Sequence, residues 1–599
     1  MIYHCEDHTC NYWDEGEKLP ERCPQCGRKL LRANEADMTG DDWTALGNTL
    51  WDAEASDKKR MVDCFRKAAY LGSAWGVCNL GICMEQGNGV EADPVQAFWL
   101  YQQAVEMGSL NAVCCLGVCY EYGIGTAPDA EKAAELYCKA AEYGSPRGQM
   151  LLAHAFHDGI GVEADAAEAV NWVRAAAYQR YGEGMHRLGV CYEYGDGVEQ
   201  NWERAVHWFR EAAESGVSAA MTDLGYCYEK GCGVEQSWEQ AFSWYRRGAE
   251  CGYPVSMSNL GLCYKRGYGV DQNWQEAIKW YEQGAQCGDL QSMHNLACCY
   301  ERGEGVEQNE ERALYWYRRS AEGGNGDAMC NLGRCYERGY GVEQNWQEAV
   351  KWYEQGAQCG HLQSMNNLAC CYEDGEGVEQ NMTEAIRWYT AAAEGGNADA
   401  MHDLGWLYDH GEGVEQDMKK AICWYERAAE QNHPAAMNSL GECYAMGRGV
   451  PRDLETAMEW YRRAAELGEA MADYNMGWHL EQAGKLSEAY AHYRKAADGN
   501  DDSAWWALGR FYENGVVVAQ DGKEARRCYE TGEKLGNVKC KMRLARCKLL
   551  GIGGRRAKKA GLDLCRQALE LAKESSEKED YGYEAEMNLL RRTIAENES

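Results

Sequence analysis

Small and apolar residues recur every 36 positions along most of the chain, in the pattern L-(G/A)-x-x-Y-x-x-G-x-G-V. We call the small residue after the leucine the anchor of each repeat. The anchors are Gly81, Gly117, Ala153, Gly189, Gly225, Gly261, Ala297, Gly333, Ala369, Gly405, Gly441 and Gly477, with weaker copies at Gly47, Gly509 and Ala545. A unit of this size forms one pair of helices that cannot bury its own apolar face, so it must stack on its neighbours. The pattern therefore predicts an all-α solenoid of about fifteen repeats.

One repeat, residues 255–286, illustrates the two predicted helices. Apolar and small residues at helical spacing form one face of the first helix, helix A: Met257, Leu260, Gly261 and Tyr264. Gly267 and Gly269 suit the left-handed conformation that ends a helix. Asn273 is the predicted N-cap of the second helix, helix B. A tryptophan recurs in helix B and is predicted to lie in the core: Trp172, Trp208, Trp244, Trp280, Trp316, Trp352, Trp388, Trp424 and Trp460.

The helix B sequence follows the pattern x-A-x-x-W-(Y/F)-x-x-A-A-E. Together with the helix A pattern it resembles the Sel-one-like (SLR) repeat, a relative of the tetratricopeptide repeat, over roughly residues 40–575. The resemblance implies a right-handed α-solenoid superhelix whose surface binds other proteins. We therefore divide the chain into a separate segment at 1–34, a repeat solenoid at 38–575, and a helical or disordered tail at 576–599.

The segment 1–34 carries four cysteines in two pairs, Cys5-x4-Cys10 and Cys23-x2-Cys26. Four thiolates suit a tetrahedral metal ion, and so short a segment needs such a staple to fold. It resembles the rubredoxin-like zinc ribbon, although the first pair is normally C-x2-C. His8 lies between the first two cysteines, so it is an alternative fourth ligand. We expect a structural zinc ion, and iron is the less favoured metal because nothing else in the chain indicates electron transfer.

Charge is distributed unevenly along the chain, whose formal net charge is −34. This excess of acidic residues disfavours general binding to nucleic acids or anionic membranes. The segment 523–573 is the exception, with fifteen Lys and Arg residues against five Asp and Glu. It is interpreted either as a soluble capping surface or as a docking patch for an acidic partner or nucleic acid.

Neither a signal peptide nor a long apolar run is recognisable, so we expect a cytoplasmic bacterial protein with no membrane segment. The chain contains 30 cysteines, which in a small secreted protein would indicate disulfides. Here Cys263, Cys299 and Cys335 recur at a fixed helical position. They are predicted to be reduced thiols that pack as small apolar groups.

Two lanes of polar residues follow the face of helix A opposite the core, which is expected to line the groove of a solenoid. Residues of each lane lie on the same helical face. The predicted partner-binding residues are Asn259, Asn295, Asn331 and Asn367 in the first lane and Arg266, Arg302 and Arg338 in the second. An Asn amide can read an extended peptide backbone, and Arg can bind a carboxylate through two hydrogen bonds. The alternative is that these residues are solvated groove walls copied with the repeat.

A second series of tryptophans occupies the first position of helix B: Trp202, Trp238, Trp274 and Trp346. One interpretation is that these indoles staple the loop between helices. The other is that they form an exposed aromatic line that docks a partner helix.

Known catalytic motifs are not recognisable in the sequence, and His154 and His157 share one helix without a companion metal ligand. We therefore expect a monomeric, non-enzymatic scaffold that captures an extended peptide or protein segment. The alternative function is a nucleic-acid-associated factor that uses the zinc ribbon and the basic segment 523–573.

Overall fold

The computed structural model describes residues 2–5, 13–15, 30–32, 35–51, 55–578 and 583–598. Three short strands near the start form one antiparallel sheet in the order β2-β1-β3. They are β1 Ile2–Cys5, β2 Trp13–Glu15 and β3 Leu30–Arg32. Tyr3 lies opposite Asp14 on one side and Arg32 on the other. A 3-10 turn at Glu35–Asp37 then leads into the helices.

The chain divides into two compact units, Met1–Asn309 and Glu310–Ser599. The helices of the first unit are α1 Gly40–Thr49, α2 Ala55–Tyr70, α3 Ala74–Gln86, α4 Pro94–Glu106, α5 Leu110–Tyr122, α6 Ala130–Glu142, α7 Pro146–Asp158, α8 Ala166–Tyr178, α9 Gly182–Tyr194, α10 Trp202–Glu214, α11 Ser218–Lys230, α12 Trp238–Glu250, α13 Pro254–Arg266, α14 Trp274–Gln286 and α15 Leu290–Arg302. Odd-numbered helices correspond to helix A and even-numbered helices to helix B.

The second unit continues the same alternation from a helix B. Its helices are α16 Glu310–Glu322, α17 Gly326–Arg338, α18 Trp346–Gln358, α19 Leu362–Asp374, α20 Met382–Gly395, α21 Ala398–His410, α22 Met418–Glu430, α23 Pro434–Met446, α24 Leu454–Glu466, α25 Ala470–Gln482, α26 Leu486–Asp498, α27 Asp502–Asn514, α28 Gly522–Lys534, α29 Val538–Leu550, α30 Lys558–Lys578 and α31 Glu584–Glu598. Along the described chain, α1–α30 thus alternate between helix A and helix B, fifteen of each, as predicted. Among the helices of the described residues, none is long and apolar enough to cross a membrane.

The helix ends in the repeat at 255–286 follow the local sequence. Helix α13 ends at Gly267, which has φ 74° and donates its N–H to the Cys263 carbonyl at 2.8 Å. The Asn273 side chain accepts the Glu276 N–H at 3.2 Å and so caps α14. Both predicted ends are confirmed, because each depends on the preference of one residue for a non-helical conformation or a free acceptor.

The core position of helix B belongs to the residue that follows each recurring tryptophan, a tyrosine in seven of the nine repeats. Tyr281 is fully buried, whereas Trp280 and the other eight tryptophans of the same series are only half-buried. The prediction that these tryptophans lie in the core is therefore confirmed only in part: seven of the nine pack against the core, but none is fully buried. Consecutive helical residues point about 100° apart, so only one of two adjacent aromatic rings can face helix A. Five of these indoles also lie beside a cation, as at Trp244, where Arg247 is 4.2 Å from the centre of the ring.

A part-buried hydrogen bond joins the two helices in seven of the described repeats. The core tyrosine of helix B donates its hydroxyl to a glutamate of the preceding helix A, at 2.9 Å from Tyr245 to Glu229. Burial raises the pKa of Tyr245, so its hydroxyl stays protonated and can donate. The anchor makes room for this ring, since a Cβ on Gly225 would lie 2.6 Å from the Tyr245 ring. We call this arrangement the tyrosine–glutamate pair.

The tryptophans that begin helix B pack against the loop of the following repeat. The Trp238 ring stacks on Tyr268, with centroids 4.1 Å apart. Trp202, Trp238, Trp274 and Trp346 are all half-buried. This packing favours the interpretation that these indoles staple the loops.

The recurring cysteines have buried side chains. Cys263, Cys299 and Cys335 are each less than 4% exposed. Burial raises the pKa of Cys263 to about 12, which keeps the thiol protonated at neutral pH. Their predicted packing as small apolar groups is confirmed.

Part of the basic segment 523–573 contributes to internal packing. Arg543 donates to both carboxylate oxygens of Glu586 on α31, at 2.6 and 2.7 Å. Arg556 donates to the Asn597 side chain at 2.6 Å. Arg543 and Arg556 hold α31 in place. The number of Lys and Arg residues in the segment 523–573 therefore overstates the positive charge that is available to a partner.

Candidate binding surface of the A helices

In the first unit, the two predicted lanes lie on the solvent-facing side of α13 and α15. Asn259 and Asn295 are half-buried, whereas Arg266 and Arg302 are exposed. The Arg302 side chain is 60% exposed. The second lane is therefore open to a partner, and the first lane lies deeper between neighbouring helices.

The second unit repeats this arrangement on α17 and α19. Asn331 and Asn367 are half-buried, and the Arg338 side chain is 67% exposed. In each unit, therefore, the asparagines of the first lane are half-buried and the arginines of the second lane are exposed.

Residues of the first lane also contact the preceding helix A, which the sequence did not reveal. Asn367 donates its amide N–H to the Cys330 Sγ at 3.5 Å. In the same register, His186 lies 2.6 Å from Asp223. The first lane thus joins successive repeats, and its amides are only partly available to a ligand.

A cavity of about 580 Å³ opens on the A-helix surface of the first unit, between α5, α7, α8 and α9. Its lining is apolar at Met150, Ala153, Val170 and Val173. This volume lies within the range of about 300–1,000 Å³ typical of ligand pockets. The sequence analysis did not predict it.

The cavity coincides with a repeat that lacks the tyrosine–glutamate pair. Val173 occupies the position of the core tyrosine, and His157 occupies the position of the glutamate acceptor. The next repeats on either side keep an aromatic ring there, at Tyr137 and Phe209. A valine leaves unfilled the space that a ring occupies elsewhere. The paired substitutions at 157 and 173 were the sequence signal that could have revealed the cavity.

Charged side chains surround the mouth of the cavity. His157 contacts Asp158 on its own helix and lies 3.2 Å from Asp196, which follows α9. His154 lies 3.2 Å from Asp158, and Arg187 lies 3.8 Å from Asp196. His154 and His157 therefore have acidic companions that the sequence alone did not indicate. Within the described residues, no group of three or more His, Cys, Asp or Glu side chains can hold a metal ion.

The side chains of the predicted zinc ligands lie outside the part of the chain that the structure describes. Cys10, Cys23, Cys26 and the alternative ligand His8 lie outside the described residues. Cys5 is part of strand β1, but its side chain also lies outside the described part. The metal site stays a prediction from the cysteine spacing.

Alternating A and B helices with one conserved register define a tandem helix-pair repeat protein. The model of the Sel1 repeat matches thirteen segments of the chain: 76–109, 112–145, 146–181, 182–217, 218–253, 254–289, 290–325, 326–361, 362–397, 398–433, 434–469, 470–501 and 504–537. The chain therefore belongs to the Sel1 repeat family. The pairs α1–α2 and α29–α30 lie outside the matched segments. Proteins built from such repeats are generally protein-interaction scaffolds and generally non-enzymatic.

Three solved structures are among those similar to this chain. The protein c5321, a protective antigen of uropathogenic Escherichia coli strains with an SLR fold, is 32% identical, covers 75% of this chain and 97% of its own, and has a TM-score of 0.49. A Sel1 repeat protein from Oxalobacter formigenes is 32% identical, with 41% and 96% coverage and a TM-score of 0.37. Yeast Tom70 is 13% identical, with 81% and 98% coverage and a TM-score of 0.29. A comparison with curated proteins finds no match.

Proposed function

We propose that this protein is a non-enzymatic scaffold that binds an extended peptide or protein segment on the A-helix surface of its units. The observation that carries this proposal is the second lane, where Arg266, Arg302 and Arg338 recur at equivalent, exposed positions. Exposed guanidinium groups at equivalent positions of the A helices suit carboxylates along a partner chain. The half-buried asparagines of the first lane supply the amide groups that an extended backbone can meet.

The triple substitution Arg266→Ala, Arg302→Ala and Arg338→Ala is expected to weaken partner binding more than about tenfold, because each hydrogen bond to a charged group contributes about 1.5–3 kcal/mol. The helical content should not change, since all three side chains are exposed. The measurement is affinity capture with crosslinking mass spectrometry on the full chain, followed by a titration with each partner found.

A matched control removes the same charge from the B helices, through Arg246→Ala, Lys279→Ala and Lys351→Ala. These side chains are 52–60% exposed and lie away from the A-helix surface. Equal binding by the A-helix variant and the control would contradict the proposal. Crosslinks confined to residues 523–573, with binding to RNA or DNA that falls steeply with salt, would support the nucleic-acid-associated alternative instead.

We also propose that residues 1–34 bind one structural zinc ion through Cys5, Cys10, Cys23 and Cys26. The purified chain is expected to contain about one zinc ion, because four thiolates complete a tetrahedral site. Cys23→Ser with Cys26→Ser should lose that zinc in elemental analysis. The control is Cys287→Ser, which changes an exposed thiol in the repeats. Unchanged zinc content in the double variant would refute the site.

A further inference from the structure

The core position of helix B is nearly constant along the chain. Of the eleven positions from Tyr101 to Tyr461 spaced 36 residues apart, ten hold tyrosine or phenylalanine, and Val173 is the exception. The acceptor position of the same repeat holds His157. It also differs from glutamate in three repeats that keep their core tyrosine, at Lys265, Asp409 and Ala445, so among the eleven only this repeat changes both positions. This repeat therefore lacks both partners of the internal hydrogen bond, the core tyrosine and its glutamate acceptor. We infer that the cavity lies in the space that they would occupy.

The side chain at the acceptor position is more exposed in the repeat that lacks the core aromatic ring. The Glu229 side chain, covered by Tyr245, is 17% exposed. The His157 side chain is 41% exposed and lines the cavity. Below it lie Val170 and Val173, with 2% and 3% exposed surface, so the cavity ends on a dry apolar floor. The site therefore combines an apolar base with a polar group near its mouth, as binding pockets commonly do.

We propose that this cavity receives an aromatic side chain, tyrosine above all, from the extended segment that binds the A-helix surface. The inference rests on the proposed function and adds the identity of one anchor residue of the partner. The ring occupies the space that the core tyrosine fills in neighbouring repeats. Its hydroxyl meets the His157 and Asp158 groups, as Tyr137 meets Glu121 at 2.6 Å one repeat earlier. Aromatic anchors of this kind dominate the binding energy of many interfaces.

The charges around the cavity disfavour a cationic side chain. Asp158 already contacts His154 and His157, and Asp196 lies near His157 and Arg187. The two glutamates that also line the cavity are occupied as well, since Glu121 accepts the Tyr137 hydroxyl and Glu183 accepts the Tyr181 hydroxyl. A lysine or arginine from the partner would have to displace these contacts and approach Arg187. A neutral ring with one hydroxyl leaves them in place.

Two exposed tyrosines extend the aromatic character of the surface beyond the cavity. Tyr122 on α5 is 66% exposed and Tyr194 on α9 is 73% exposed. They occupy the second-lane position that Arg266 holds in α13, on the repeats before and after Asp158. This part of the lane therefore presents aromatic rings in place of guanidinium groups, which suits the same kind of partner side chain.

The test uses p-cresol, which has the side chain of tyrosine, and the full-length protein. We expect ligand-observed NMR to detect binding with a Kd on the order of 1 mM. Val173→Tyr combined with His157→Glu restores the tyrosine–glutamate pair and should weaken p-cresol binding at least tenfold. The control Phe209→Tyr changes a neighbouring core ring without a cavity and should leave binding unchanged. Val173→Met, which fills less volume, should give an intermediate loss and serves if the double variant does not fold.

Two results would overturn the proposal: p-cresol binding that survives in folded Val173→Tyr/His157→Glu, or tighter binding of methylguanidinium than of p-cresol to the wild type. Display of a random 12-residue peptide library should also enrich one aromatic residue on the wild type and lose that enrichment on the double variant. Because p-cresol binding needs no partner, its failure is distinguishable from failure of the scaffold proposal, which the triple arginine variant tests.

Discussion

Replacing Gly269 by alanine is expected to lower the free energy of unfolding by more than about 3 kcal/mol, whereas the same change at Gly267 should cost only about 1–2 kcal/mol. Both glycines belong to one loop and have positive φ, 68° and 74°. A Cβ on Gly267 would meet nothing closer than 3.6 Å, but a Cβ on Gly269 would lie 2.5 Å from the Trp238 carbonyl carbon. The added cost at Gly269 therefore comes from the repeat before it, not from the loop.

The measurement is urea denaturation of both variants together with hydrogen exchange across residues 238–273. In an array of repeats each unit is stabilised by its interface with the next, so the damage should be local. Exchange should accelerate at the start of α12 in Gly269→Ala and stay near wild type there in Gly267→Ala. An equal loss of unfolding free energy in the two variants would contradict this prediction. It would show that the positive φ alone determines the cost of each substitution, and that the close contact between residue 269 and Trp238 adds nothing.

Features of the fold that depend on one residue and its neighbours in sequence were predictable. The anchor spacing gave the number of helix pairs, and Gly267 and Asn273 marked where α13 ends and α14 begins. Each of these relies on a preference of the chain itself: small residues where helices approach, glycine in the left-handed region, and a side-chain acceptor at a helix start.

Features that depend on the direction of a side chain between packed helices were not predictable. Periodicity identifies an apolar face but cannot separate Trp280 from Tyr281, because both adjoin that face. The buried ring proved to be Tyr281. Likewise, the contact of His186 with Asp223 joins two repeats at a separation that no local pattern shows.

The candidate site was predicted only in part for the same reason. The lanes of Asn and Arg were recognisable, because copies of a repeat place equivalent residues on equivalent faces. The cavity was not, because it arises where one repeat departs from the pattern: Val173 and His157 are noticeable only by comparison with the aromatic ring and the glutamate that most other repeats have at these positions. Departures from a repeat thus hold more information about a specific ligand than the repeated residues do.

Arg543→Ala is expected to destabilise the end of the second unit by about 3–5 kcal/mol and to release α31. The Glu586 side chain is 8% exposed and receives two hydrogen bonds from Arg543. Without the guanidinium, a buried carboxylate would remain uncompensated, and exposing it requires α31 to leave α29. Met587 and Leu590, which pack beside Met542 and Leu549, would then lose their apolar contacts as well.

Hydrogen exchange of residues 584–598, together with urea denaturation, measures this effect. Protection of α31 should be lost in Arg543→Ala, while the helices of the first unit keep theirs, since repeats communicate mainly with their neighbours. Arg527→Ala is the matched control, because Arg527 is 69% exposed and lies 3.5 Å from Glu524, and an exposed pair contributes about 0–1 kcal/mol. Glu586→Ala added to Arg543→Ala should recover part of the stability by removing the unpaired charge. If the double variant is as unstable as the sum of the two single variants, the pair is not coupled and α31 is held by apolar packing alone.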